Sequence, residues 1–274
     1  MALLLKSVQP ASGKRWIGDA LRLFARRPLP FTLMFCAFMF VALLVLLVPL
    51  LGPLLQMALV PLLSLGFMVA SQSALLDGPV TPRQFIEPLR GDPARRRALL
   101  LLCLIYGLAA LGILWLCDAI SGQALARLEP LRQQGDAAMP EIIAVLSEPG
   151  VGNAVLVGAL LAAALSVPFW HAPALVHWGG QSLGQALFSS TLAVWRARGA
   201  FLVYALVGAG LVLLFGILTA LLLGLLGAPQ LVAAVSMPAG LLFSTVFYVS
   251  LIFTFNDSFG GATAARAPEP PTAA

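Results

Sequence analysis

Charge is the scarcest ingredient of this chain. Charged side chains make up 10% of its 274 residues, whereas a water-soluble domain needs about a quarter to cover its surface. With 60% hydrophobic residues and a mean hydropathy of +0.97, its solvent is largely lipid. Histidine is rarer still, with only His171 and His177. Cys36, Cys103 and Cys117 fall inside apolar runs, with no CxxC spacing and no nearby histidine at ligand spacing. That argues against a disulfide framework or a zinc site and leaves them as small packing residues. No Asp, Glu, Lys or Arg stands in the middle of an apolar run. Ion-coupled carriers and proton relays usually keep such a charge, and intramembrane hydrolases need a nucleophile with a base or a metal. HExxH is missing, and no GxSxG or Walker sequence stands in a setting where it would work. No enzymatic activity, cofactor or metal is expected.

What the chain has instead is long uncharged stretches. Residues 28–76 run for 49 positions without a charge; one span takes about 20, so two fit, joined by the turn Pro49-Leu50-Leu51-Gly52-Pro53. Residues 98–117 make a third span, closed by Asp118, and a fourth runs from Asn153 to Trp178. The 58 uncharged residues of 199–256 hold two more around Gly227-Ala228-Pro229-Gln230. The expected fold is all-α: a polytopic membrane helical bundle of six transmembrane helices in three hairpins, with cytoplasmic interfacial amphipathic helices. Its spans are placed at about 31–48, 54–76, 98–118, 153–178, 200–226 and 231–255, after a cytoplasmic segment, 1–30. The Ala/Pro/Thr-rich residues 257–274 are expected to be a disordered cytoplasmic tail.

Placing both termini inside puts fourteen of the sixteen Lys and Arg on the inner side and leaves Arg127 and Arg132 outside, a strong positive-inside bias. The basic residues flank spans, so the net charge of +5 serves orientation, and no nucleic-acid partner is expected. Residues 1–27 are too charged, and the span after them too long, for a signal peptide. Trp16, Ile17, Ala20, Leu23 and Phe24 fall near one side of a helix, with Lys14, Arg15, Arg22 and Arg26 on the other. This segment is either an amphipathic helix in the cytoplasmic headgroup layer or a plain positive anchor for the first span. Residues 179–198 read as a second interfacial helix, with Leu183, Ala186, Leu187, Thr191 and Val194 on one face and Trp195, Arg196 and Arg198 at its end. Residues 119–150 form the polar loop on the opposite side, with short helices expected at 122–134 and 139–147 and no catalytic set.

Each hairpin follows a basic segment, and the second span of each carries an internal proline: Pro61, Pro168 and Pro238. The basic N-terminal helix leading into Arg26-Arg27-Pro28, the Leu50-Leu51-Gly52-Pro53 turn, and Pro168-Phe169-Trp170-His171-Ala172-Pro173-Ala174-Leu175 followed by Ala186-Leu187-Phe188-Ser189-Ser190 form a recurring pattern. Tyr248-Val249-Ser250 leading to Asn256-Asp257-Ser258-Phe259 completes it. Together these resemble an uncharacterised family of proteobacterial (Burkholderia-type) multi-span inner-membrane proteins. The resemblance covers most of residues 15–260. It implies a multi-pass protein of the bacterial cytoplasmic (inner) membrane and no particular activity.

The segment 167–178 holds both histidines, two of five tryptophans and two prolines. Candidate positions are therefore His171, Asn153, Pro168, Pro173 and Trp178. On a regular helix His171 and His177 point about 120° apart, so they do not form a pair. A neutral His171 is expected to bond a carbonyl freed by Pro168 or Pro173. The role expected of the whole is a non-catalytic scaffold or accessory subunit whose partners are the lipid bilayer and other membrane proteins. The alternative is a carrier or channel for an uncharged or lipid-like solute, with a hydrated path near His171 and Asn153.

Overall fold

A computed structural model describes residues 5–133, 139–228 and 230–260. The described residues are helical with no strand, as apolar segments in lipid must be to satisfy their own backbone. After α1 (Ser12–Arg26), the spans are α2 (Pro28–Leu46), α3 with α4 (Gly52–Ala58, Val60–Leu75), α5 (Pro93–Ile120), α8 with α9 (Pro149–Phe169, Ala172–His177), α11 (Arg198–Leu225) and α12 (Leu231–Phe259). All six are long and apolar enough to cross a membrane. The polar loop holds α6 (Ala124–Gln133) and α7 (Met139–Leu146), and α10 (Leu183–Arg196) joins the fourth and fifth spans. Pro28, Pro93 and Pro149 each open a helix, a position where the missing N–H costs nothing.

Several boundaries differ from expectation, with the first span opening at Pro28 and the fourth at Pro149, three and four residues early. The arginines 95–97, expected to precede the third span, form the first turns of α5, whose N-cap is Asp92 accepting from the Ala94 N–H at 3.2 Å. The expected tail does not begin at Asp257: α12 continues through Phe259 and stops at Gly260, at φ +85°, a left-handed cap suited to glycine. The rest of that tail, 261–274, lies outside the described residues.

Packing is concentrated at one end. The main core joins Leu65, Met68 and Val69 of α4, Leu99 and Leu102 of α5, Leu175 and Val176 of α9, Ala186 and Ala193 of α10, and Ile252 and Phe255 of α12. Those are the ends of the spans that carry the basic residues. At the opposite end, Leu218, Leu221, Leu222, Leu225 and Leu226 of the fifth span and its turn, and Met237 of the sixth, stay exposed.

The three internal prolines have three different consequences. Pro61 follows a break at Leu59 between α3 and α4, Pro168 sits in the last turn before α8 ends, and α12 runs on through Pro238.

The first amphipathic segment packs against other helices of the bundle. Its apolar face is inside the protein: Trp16 is 1% exposed and Ala20 fully buried. Gly13 lies so close to α11 that a Cβ there would clash with the Ala200 carbonyl oxygen. Trp16 packs on Phe201 and Tyr204, at 5.2 and 6.0 Å between ring centres. Its indole N–H donates to Asp257 at 2.8 Å, and Arg15 reaches the same carboxylate at 2.6 Å. On α10 the buried face is Ala186, Ser190, Ala193 and Val194, while Thr191 is exposed and bonds the Leu187 carbonyl.

Candidate functional site

The segment 167–178 is the joint between α8 and α9. Pro168 removes one backbone donor near the end of α8, and Pro173, in the first turn of α9, supplies a preset φ for the restart. The gap between them is bridged from α10. Ser190 Oγ accepts from the His171 N–H at 3.0 Å and donates to the Val167 carbonyl at 3.0 Å. A hydroxyl from α10 therefore bridges the Val167 carbonyl and the His171 N–H, the i, i+4 pair opened at the joint, whereas the carbonyls left without a donor by Pro168 and Pro173 are those of Ala164 and Phe169.

That ring is fully buried, and neither nitrogen has a partner among the described residues. It stands in an aromatic cage, with Phe259, Phe255 and Phe201 at 5.5, 5.8 and 6.1 Å between ring centres. His177 goes elsewhere. Its carbonyl accepts from Arg95 at 3.3 Å and its ring lies beside Trp178, at 5.6 Å. Trp178 is half-buried against Phe255 at 5.2 Å. Asn153 is exposed near the far end of α8, about 27 Å from His171 at 1.5 Å per residue. The structure thus brings Pro168, His171 and Pro173 together as one joint, and it leaves Asn153 outside any shared path.

Beside the joint lies a polar cleft of about 490 Å³, lined by Gln72, Ser73, Gln84, Glu87, Arg95 and His177 among others. In the membrane-spanning region polar groups link helices. Tyr204 on α11 meets Ser250 on α12 at 2.6 Å, and the Trp170 indole donates to Thr254 at 3.1 Å. Sequence reading missed these links and the Asp257 clasp on α1, because single hydroxyls in apolar runs carry no spacing signal. Gly180-Gln181-Ser182-Leu183-Gly184 has the letters of a nucleophile elbow. Yet Ser182 is the N-cap of α10, in a capping box with Gln185, and it follows a helix instead of a strand.

At the opposite end Arg127 clasps Glu148 through two bonds of 2.7 Å and also reaches the Ser121 carbonyl at 3.2 Å. The hydrogen bond and charge of Arg127 hold the Glu148 carboxyl below the usual range, and Glu148 raises Arg127 in turn. Among the described residues no group of three or more His, Cys, Asp or Glu is placed to hold a metal ion.

The chain is 31% identical over 258 residues to a probable inner membrane protein of Burkholderia thailandensis, covering 93% of this chain and 94% of the relative. The chain belongs to that inner-membrane protein family. No family model and no solved structure matches it. As a member of this family it is an inner-membrane protein with several apolar spans, so the exposed leucines of α11 and α12 are surfaces for lipid or neighbouring helices.

Proposed function

We propose that this inner-membrane protein is a non-catalytic scaffold or accessory subunit, oriented with both termini in the cytoplasm. The observation that carries the reading is the use of polar side chains inside the spans. Tyr204 with Ser250, Trp170 with Thr254, and Ser190 with the α8–α9 joint each tie one helix to another. A catalytic or ion-coupled site needs such groups converging on a reacting atom or ion; these fix the architecture. The basic end is the packed end, so the arginines of α1, α5 and α10 stand on a firm platform. Thirteen of the fifteen Lys and Arg among the described residues stand at that end, which favours its placement in the cytoplasm.

Extraction of the tagged full chain in native lipid particles, with identification of what accompanies it, tests the reading. A recurring membrane-protein partner is expected. A lone chain that moves a solute across liposomes would replace the scaffold with a carrier. Orientation is tested by thiol labelling of single cysteines at 83–97, which must be reached only from the cytoplasmic side.

A further inference from the structure

An apolar groove of about 450 Å³ opens between α8, α11 and α12 and is walled at the basic end by α1. Its lining includes Leu21, Val167, Trp170, Phe201, Gly208 and Phe247. Each polar side chain on its wall already has a partner within the chain. Ser166 bonds the Ala163 carbonyl at 2.7 Å, Tyr204 and Ser250 bond each other, and Trp170 bonds Thr254. A polar solute would find no unpaired group there, whereas a hydrocarbon chain displaces no hydrogen bond.

The charge at the groove's end selects among hydrocarbon ligands. Lys14 stands one turn before Ile17 on α1, and Arg198 one turn before Phe201 on α11; both cations are exposed, and Ile17 and Phe201 line the groove. Arg198 lies 5.5 Å from the ring centre of Trp195, an exposed aromatic of the kind that marks a headgroup layer. We propose that the groove holds an acyl chain of an anionic phospholipid from the leaflet at the basic end, with Lys14 and Arg198 receiving its phosphate. The proposal is independent of the scaffold reading.

The test is retention of phosphatidylglycerol against phosphatidylethanolamine by the purified full chain, read by native mass spectrometry after exchange into vesicles containing both. At Gly208 an added Cβ meets only Ile17, at 3.8 Å, whereas Gly216 on the same helix faces open space and does not line the groove. Gly208→Leu therefore fills the groove, and displacing two buried methylenes predicts about tenfold weaker retention; Gly216→Leu leaves it unchanged. Lys14→Gln with Arg198→Gln removes the preference for phosphatidylglycerol while the chain still retains lipid. Photo-crosslinking from a diazirine-bearing acyl chain to the unaltered protein, which needs no variant, marks α11 and α12 at the groove. Equal loss in Gly208→Leu and Gly216→Leu, crosslinks elsewhere, or an unchanged headgroup preference would overturn the proposal. So would a lipid-free dimer that Gly208→Leu turns into monomers, which would give the groove to a second copy.

Discussion

Replacing Trp16 with alanine should release α1 from the bundle. The indole is 1% exposed, contacts Phe201 and Tyr204, and donates to Asp257 across 241 positions of sequence. Truncating a buried tryptophan costs about 3–5 kcal/mol, and the Asp257 carboxylate is left to Arg15, whose side chain is 59% exposed and screened. A change of that size multiplies the undocked population of α1 by about a hundred- to a few thousand-fold. Ala20 is fully buried in the docked helix, so a cysteine there, in a chain whose three native cysteines are replaced, reports opening. Maleimide labelling in native membranes should be slow in the parent and accelerate toward the rate of an exposed site in Trp16→Ala. Trp16→Phe, which keeps a ring but loses the N–H, should fall between. If the parent labels as fast as Trp16→Ala, α1 is not docked but lies in the headgroup layer, and the basic platform is not built as described.

Ser190→Ala should destabilise the bundle by about 1–3 kcal/mol, because it leaves the buried His171 N–H without an acceptor; a shift in thermal unfolding in detergent measures it. His171→Leu should be neutral or stabilising by about 1 kcal/mol, since the ring's nitrogens have no partner in their aromatic cage. A large loss of stability or of a growth phenotype would assign that ring a role. The Arg127–Glu148 clasp should loosen only in acid. The carboxyl's folded value is depressed below 4.5, so its contribution is intact above that pH and is lost as pH falls through the depressed value. Protection of the α6 amides, taken relative to intrinsic exchange at each pH, should therefore be flat from neutral pH down to the ordinary carboxylate range and fall below it, and Arg127→Gln should remove that dependence.

The spans were legible because 49- and 58-residue uncharged runs admit few other structures. Proline and glycine marked most of their ends. The docking of α1 was not legible: the same amphipathic pattern of Trp16, Ala20 and Leu23 suits a lipid surface and a protein groove equally. Asp257 would have decided between them, but its Ala/Pro/Thr-rich neighbourhood placed it in a tail, and only the path of α12 brings it to Trp16. The segment 167–178 forms a joint between α8 and α9, and the bonding expected there was misread. Its two prolines flank the break, while the group that bridges the opened Val167–His171 backbone pair, Ser190, comes from another helix. The polar links Tyr204–Ser250 and Trp170–Thr254 depend on which helices meet, and helical periodicity in nearly uniform apolar runs does not specify that.

The most direct test of the accessory-subunit reading is the protein stoichiometry of native lipid particles captured through the tagged full chain. A second membrane protein is expected at a fixed molar ratio, lost when Trp16→Ala releases α1. Particles that hold this chain alone, with unaltered composition in Trp16→Ala, would contradict it.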